Sequence, residues 1–183
     1  MLKDNFGRQH TYLRISITER CNFRCTYCMP AEGILLSPKH QLMTAEEIYD
    51  IAKIFVENGV TKIRLTGGEP LVRKDFLKII ELLSLLDVEL VISSNGVLID
   101  KFFDDFKRLG IQKLNISLDT LNKDQFFAVT RRNDFEKVME NIELAIKEGF
   151  TVKLNYVAKR DDNETEIIDF IELTKTWNVD VRF

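Results

Sequence analysis

The sequence predicts an α/β fold, a partial (β/α)6 barrel of the TIM type that is truncated in its sixth strand. Segments typical of strands and helices alternate along the chain, which indicates a parallel sheet with helical crossovers. Most predicted strands also alternate apolar and polar residues, whereas a doubly wound sheet covered on both faces would be apolar throughout. The polar face should therefore line an interior or cleft that holds water and ligand. Because an eight-stranded barrel fills this space with aliphatic side chains, we expect a barrel opened to fewer strands.

Six segments are predicted to form strands, because apolar residues occupy every second position in nearly all of them. They are Tyr12–Thr18, Lys62–Thr66, Glu89–Ser94, Lys113–Leu118, Val152–Tyr156 and Asp180–Phe183.

Five helices are predicted between these strands. Thr44 and Glu47 have the spacing of a capping box, which predicts a helix that runs to about Asn58 and ends at Gly59. The other four helices are predicted at Asp75–Leu86, Ile99–Leu109, Phe135–Glu148 and Glu164–Trp177. No stretch has the composition of a linker, so we expect the 183 residues to form a single domain.

The composition is that of a globular protein, with 45% hydrophobic and 30% charged residues and a formal net charge of −3. This charge disfavours a general nucleic-acid-binding surface. No apolar run approaches the roughly 20 residues of a membrane span. We therefore expect a protein of the reducing cytoplasm that binds neither nucleic acid nor membrane.

All the cysteines of the chain lie in one motif, C-x3-C-x2-C, formed by Cys21, Cys25 and Cys28. Three thiolates can bind three irons of a cubic iron–sulfur cluster and leave the fourth iron without a protein ligand. A cluster that only carries electrons normally has four protein ligands, so the open position indicates another ligand. A disulfide framework fits an odd cysteine count poorly. A zinc site needs a fourth ligand, and neither His10 nor His40 stands at a recognisable zinc offset.

Polar and glycine residues follow several predicted strands. Thr66-Gly67-Gly68-Glu69-Pro70 lets the backbone approach a ligand closely, and Glu69 offers an acceptor for an ammonium group. Ser93 and Ser117 stand at the ends of the third and fourth strands. Taken singly, each such group is more typical of a turn or a helix cap. Together they indicate a ligand site, because ligands of parallel α/β folds bind at the carboxyl ends of strands.

Four basic residues lie on the polar face of the predicted strands, namely Arg14, Arg64, Lys153 and Arg182. Only Asp119 is expected to oppose them there. A cationic interior in a mildly acidic protein indicates an anionic ligand such as a phosphate ester. The alternative is that these side chains face solvent or pair with acidic residues of the helices.

These motifs resemble the radical S-adenosylmethionine (SAM) superfamily and, more narrowly, its GTP 3′,8-cyclase family of molybdenum cofactor biosynthesis. The narrower resemblance runs nearly end to end and is carried by several stretches. They are Gly7-Arg8, Tyr12–Cys25, Tyr27–Pro30, Ile63–Leu71, Asn115–Asp119 and Val152–Asn155.

The resemblance implies that Cys21, Cys25 and Cys28 bind a [4Fe–4S] cluster whose open iron binds SAM. The implied SAM-binding residues are Tyr27, Gly68, Glu69 and Ser117. The implied GTP-binding residues are Arg14, Arg64, Ser93 and Lys153, with Ser93 at a position where the family usually has threonine.

The implied reaction converts GTP to (8S)-3′,8-cyclo-7,8-dihydroguanosine 5′-triphosphate through a 5′-deoxyadenosyl radical. The cluster and SAM carry this chemistry, so no side chain is implied as the catalyst. The resemblance also implies an electron donor such as flavodoxin or ferredoxin, and it admits a homodimer.

The chain departs from this family in one respect, because family members continue into a segment with a second three-cysteine cluster that binds the guanine of GTP. We therefore expect a truncated protein that keeps the half-site for the first cluster and SAM but does not cyclise GTP alone. Two alternatives stay open. Another radical SAM enzyme, such as a peptide-maturation enzyme, would use an acidic or peptide-shaped pocket, which Arg14, Arg64 and Lys153 disfavour. A non-catalytic iron–sulfur or zinc module would not respond to SAM.

Overall fold

The computed structural model describes residues 2–30, 32–160 and 162–183, and this part of the chain forms one sheet of six strands. The strands are β1 (Tyr12–Ser16), β2 (Lys62–Thr66), β3 (Glu89–Ser94), β4 (Lys113–Ser117), β5 (Thr151–Asn155) and β6 (Val179–Arg182). The predicted strands are confirmed, with ends that differ by at most two residues.

The strand order in the sheet is β1-β2-β3-β4-β5-β6. The pairs β1–β2, β2–β3, β4–β5 and β5–β6 are parallel. A doubly wound sheet reverses its strand order at a switch point, whereas here every strand follows its predecessor in the chain. This sequential order is the topology of a (β/α) barrel and confirms the predicted fold class.

The helices are α1 (Ala45–Glu57), α2 (Phe76–Leu83), α3 (Phe103–Arg108), α4 (Lys123–Thr130), α5 (Phe135–Lys147) and α6 (Ile167–Leu173). The predicted capping box of α1 is present, since the Glu47 amide donates to Thr44 Oγ1 and the Thr44 amide donates to Glu47 Oε2. The predicted helices at 99–109 and 164–177 begin as 3-10 turns, Ile99–Phe102 and Glu164–Glu166, before α3 and α6. α4 was not predicted from the sequence pattern.

The chain divides into two compact units. The first contains Met1–Cys21, Leu36–Ser93 and Asp104–Gln112, and the second contains Asn22–Leu35, Ser94–Phe103 and Lys113–Phe183. In the first unit Ile63 and Leu65 of β2 are fully buried, and the rings of Phe76 and Phe106 meet edge to face at 6.3 Å. Removal of these apolar side chains from water is the main favourable contribution to the folding free energy of the unit.

The second unit has a core of its own. Ile116 of β4, Leu154 of β5 and Ile142 of α5 are fully buried in it. Tyr156 packs edge to face on Phe170 of α6, with ring centres 4.6 Å apart.

The predicted alternation of apolar and polar positions is confirmed in most strands. In β2 and β5 the apolar residues are buried and the residues between them are partly exposed. β3 differs, because Leu90, Val91 and Ile92 are all buried. Within the described ranges, no helix is long and apolar enough to cross a membrane.

Candidate functional site

No disulfide joins the three cysteines of the motif, and Cys28 is the most exposed of them. Cys21 and Cys25 are half-buried, and Cys28 is exposed. The Cys28 and Met29 amides both donate to the Cys25 carbonyl, at 3.0 and 2.9 Å, so a tight turn fixes Cys28 against Cys25. Among the described residues, no three His, Cys, Asp or Glu side chains converge as they would around a single metal ion. A cubic cluster offers each thiolate its own iron, so its three ligands need not converge on a single point.

The C-terminal end of α4 holds the first half of this cysteine loop. The Arg24 amide donates to the Thr130 carbonyl at 3.0 Å, and the Thr26 amide donates to the Val129 carbonyl at 2.9 Å. The last carbonyls of a helix have no partner within it, so the loop satisfies acceptors that α4 leaves open.

Two further contacts fix the same loop. Phe23 is buried and packs edge to face on Phe126 of α4, with ring centres 5.6 Å apart. Arg132 Nε donates to the Asn22 carbonyl at 2.7 Å. The helix that sequence analysis missed is therefore a principal support of the candidate cluster loop.

Tyr27, which lies between Cys25 and Cys28, is held by two charged residues of the second unit. Its hydroxyl donates to Asp119 Oδ2 at 2.6 Å, and Lys159 Nζ lies 4.6 Å from the centre of its ring. Burial raises the pKa of the Tyr27 hydroxyl, and the neighbouring carboxylate of Asp119 and the thiols of Cys25 and Cys28 raise it further. Tyr27 is therefore a neutral hydrogen-bond donor.

The Gly67-Gly68-Glu69-Pro70 turn packs on the backbone that leads into Cys21. The Gly68 amide donates to the Thr18 carbonyl at 2.7 Å, and the Glu69 amide donates to the Arg20 carbonyl at 2.8 Å. A Cβ atom on Gly68 would lie 2.4 Å from the Arg20 carbonyl oxygen, so no side chain fits there. The glycines thus allow close approach, as predicted, but the contact seen here is with the chain's own backbone.

Glu69 is buried beside this turn. Only 1% of the residue is exposed, and its carboxylate accepts a hydrogen bond from the Leu71 amide at 3.1 Å. The carboxylate therefore caps the 3-10 turn Pro70–Val72. A role for Glu69 in binding an ammonium group stays a prediction.

Some polar residues at the ends of β3 and β4 hold turns, whereas two of the predicted ligand-binding residues there are half-buried or exposed. Ser94 Oγ accepts from the Gly96 amide, and Asn95 Nδ2 donates to Asn22 Oδ1 at 2.6 Å, so both hold turns. Ser93 is half-buried, and Ser117 is exposed with Asn155 of β5 beside it.

The structure brings together two of the predicted GTP-binding residues. Arg14 of β1 and Arg64 of β2 are Cα partners in the parallel pair, and the Arg64 guanidinium lies 5.4 Å from the centre of the Tyr12 ring. Arg14 is exposed and Arg64 is half-buried. The pair presents two positive charges on one face of β1 and β2.

Lys153, the third predicted basic residue, is 39% exposed and forms an ion pair with Asp180 of β6 at 3.1 Å. The expectation that Asp119 alone opposes the basic residues was therefore wrong. Asp180 and Arg182 lie on the same face of β6, because successive side chains along a strand point to opposite faces. This two-residue spacing was the sequence signal for Asp180 as a partner of the basic residues. Arg132 and Lys159 were also missed, since neither lies in a recognised motif or at a periodic position of a strand or helix.

The profile of the radical SAM superfamily matches residues 15–174, which is most of the chain. The matched range includes the cysteine motif, the Gly-Gly-Glu-Pro turn, the last two residues of β1 and all of β2–β5. The chain belongs to the radical SAM superfamily. The donor set agrees with this assignment, because three cysteines without a disulfide on one loop suit a cluster with an open iron.

Curated relatives align with the whole chain. "Molybdenum cofactor biosynthesis protein 1" of Drosophila melanogaster is 53% identical over 184 residues, and 100% of this chain aligns with 33% of that protein. "GTP 3′,8-cyclase, mitochondrial" of Arabidopsis thaliana is 52% identical, with 48% of its length covered. "GTP 3′,8-cyclase" of Alkaliphilus oremlandii is 45% identical, with 58% covered. The radical SAM chain described here thus spans about a third to somewhat over half of these relatives.

Two solved structures illustrate the shared fold. Methylornithine synthase (PylB) superposes with a TM-score of 0.72 at 18% identity, covering 93% of this chain and 52% of that one. Streptococcus suis SuiB bound to S-adenosylmethionine superposes with a TM-score of 0.67 at 20% identity, covering 90% and 38%. At these identities the likeness shows the fold alone.

Proposed function

We propose that Cys21, Cys25 and Cys28 hold a [4Fe–4S] cluster whose open iron binds SAM. We further propose that the chain is the radical SAM part of a GTP 3′,8-cyclase of molybdenum cofactor biosynthesis. The observation that carries the proposal is the cysteine loop, in which three cysteines without a disulfide lie on a segment held by α4 and by the hydrogen bond of Tyr27 to Asp119. The identities of 45–53% to the relatives named above support the narrower assignment.

Within this proposal, the bound cluster and SAM supply reductive cleavage of the sulfonium, and the protein binds, orients and shields. Tyr27, Gly68, Glu69 and Ser117 are the proposed SAM-binding residues. The position of the turn supports this role for Gly68 and Glu69, because the Glu69 amide is hydrogen-bonded to the Arg20 carbonyl, next to Cys21.

GTP is the proposed substrate, bound by Arg14, Arg64, Ser93 and Lys153. Support comes from the adjacency of Arg14 and Arg64 in β1 and β2, since paired guanidinium groups suit phosphate oxygens. To bind the ligand, Lys153 would give up its ion pair with Asp180. The free-energy cost is small, because surface ion pairs contribute about 0–1 kcal/mol to stability.

The proposed partners are an electron donor such as flavodoxin or ferredoxin and, in a homodimer, a second copy of the chain. We propose a cytoplasmic protein that binds neither nucleic acid nor membrane. The net charge of −3 supports the first of these exclusions.

The experiment that tests the cofactor assignment is anaerobic reconstitution of the chain with iron and sulfide, reduction with dithionite, and chromatography of the products formed from SAM. We expect methionine and 5′-deoxyadenosine. Cys25→Ser should abolish both, because it removes one iron ligand, whereas the neighbouring exposed variant Thr26→Ser should retain them. A loaded cluster that leaves SAM intact would contradict the proposal.

Equilibrium binding of GTP tests the substrate assignment. Arg64→Gln should weaken GTP binding about tenfold, the effect of losing one charge-assisted contact. Arg108→Gln is the matched control, because Arg108 lies in the same unit and forms exposed ion pairs with Glu81 and Asp105. Equal affinities for the two variants would exclude Arg64 from the site.

A further inference from the structure

Tyr27 is held in place by side chains that lie outside the cysteine motif. Asp119 follows β4 and Lys159 follows β5, and both belong to the same compact unit as Tyr27. Both make contact with the residue that separates Cys25 from Cys28.

Asp119 links Tyr27 to the segment after β5. The residue is buried, and its two carboxylate oxygens accept from different donors, Oδ2 from the Tyr27 hydroxyl at 2.6 Å and Oδ1 from the Val157 amide at 3.0 Å. Asn163 Nδ2 donates to the Asp119 carbonyl at 2.8 Å, and Asn163 Oδ1 accepts from the Lys159 amide at 2.8 Å. The backbone that carries Lys159 is therefore fixed relative to Asp119 and Tyr27.

Lys159 places a positive charge on the face of the Tyr27 ring. Its Nζ lies 4.6 Å from the ring centre, within the range of a cation–π contact. The side chain is a quarter exposed, and Asp162 Oδ2 lies 3.4 Å from the same nitrogen. Solvent and salt screen a partly buried charge less than an exposed one. The electrostatic effect of this ammonium on groups near the Tyr27 ring is therefore larger than that of an exposed lysine.

We propose that Asp119 and Lys159 are positioning residues for the cluster. Asp119 fixes the segment between Cys25 and Cys28 through the Tyr27 hydroxyl. Lys159 keeps a positive charge on the Tyr27 ring, between two of the proposed ligands, and this charge would raise the reduction potential of a bound cluster. Reduction adds one negative charge to the cluster, so a nearby ammonium stabilises the reduced form more than the oxidised form. The inference rests on the cluster assignment of the proposed function, and on neither SAM nor GTP.

The charge is tested by redox titration of the reconstituted chain, monitored by electron paramagnetic resonance. Lys159→Met removes the ammonium and keeps the stem, so the midpoint potential should shift to more negative values, and Lys159→Arg should restore it. Asp162→Asn should shift the potential in the opposite direction, because it removes the negative charge next to Lys159. Lys175→Met, at an exposed lysine of the same unit paired with Glu172, should leave the potential unchanged.

The hydrogen bond is tested by the rate at which a chelator removes iron from the oxidised cluster. Tyr27→Phe should increase this rate about tenfold, since a hydrogen bond to a charged group is lost. Asp119→Asn combined with Tyr27→Phe should increase it by less than the product of the two single effects. Tyr49→Phe removes a hydroxyl from α1 and is the control for a general loss of stability.

Two results would overturn the inference. One is a midpoint potential of the Lys159→Met variant equal to that of the unchanged chain. The other is a rate of iron release from the Tyr27→Phe variant no faster than that from the Tyr49→Phe variant. Both readouts are taken without SAM or GTP. Intact SAM together with the predicted shifts would refute the proposed function and leave this inference standing. A chain that forms no cluster would refute both.

Discussion

The turn after β2 shows at a single residue how backbone packing shapes the candidate site. Gly68 lies so close to Arg20 that a methyl group would meet the carbonyl oxygen at 2.4 Å, and Cys21 is the next residue. Backbone atoms on both sides of a contact cannot move aside as a flexible side chain can. The glycine is therefore needed for packing whatever ligand the turn binds.

Gly68→Ala should lower the free energy of unfolding by about 3 kcal/mol, the upper range for overpacking against a rigid neighbour. Gly110→Ala is the comparison, because Gly110 has a φ of 71° but open space around its Cβ position. Left-handed strain alone should cost about 1 kcal/mol there. Urea denaturation of both variants measures the difference, and equal costs would show that the turn can relax.

Tyr156 provides a residue-scale test by pH. Burial and the carboxylates of Glu166 and Asp119 raise the pKa of Tyr156 to about 12, above the value of about 10 in the unfolded chain. The folded state thus favours the neutral phenol, and this contribution is complete below pH ~10 and is lost as the pH rises toward ~12. The unfolding free energy of Tyr156→Phe should fall less steeply over this interval than that of the unchanged chain. Parallel slopes would contradict the assigned pKa.

At the scale of elements, α4 is the structure that sequence analysis missed. Its apolar residues 126–129 are consecutive, so they show no helical period. Its end lacks a glycine, because Arg131 itself adopts the left-handed conformation there with a φ of 56°. The available signal was Asn122, whose side chain accepts from the Asp124 and Gln125 amides at the start of the helix.

Because α4 supports the cysteine loop, weakening its cap should loosen the loop. Asn122→Ala should cost about 1 kcal/mol and should speed hydrogen exchange at the Arg24 and Thr26 amides, which donate to the last carbonyls of α4. Thr44→Ala removes the cap of α1 at a similar cost and should leave those two amides protected. If both variants expose the amides equally, α4 has no particular role in holding the loop.

At the scale of the whole molecule, the sheet could be predicted because its pattern is repeated in strand after strand. Among residues 2–30, 32–160 and 162–183, five of the six α-helices and all six strands follow from apolar period, caps and terminal glycines. The cysteine loop could also be predicted, since chemistry dictates its residue types. Its supports could not, because Lys159 and Arg132 belong to no recognised motif, and Asp119 was expected only to oppose the basic residues and not to bind Tyr27.

The open iron is best tested by the electron paramagnetic resonance spectrum of the reduced, reconstituted chain with and without SAM. We expect a [4Fe–4S]⁺ signal whose shape changes when SAM binds the iron that Cys21, Cys25 and Cys28 leave open. A cluster signal that is identical in both samples would contradict the open iron. Zinc bound in place of iron would contradict the cluster itself.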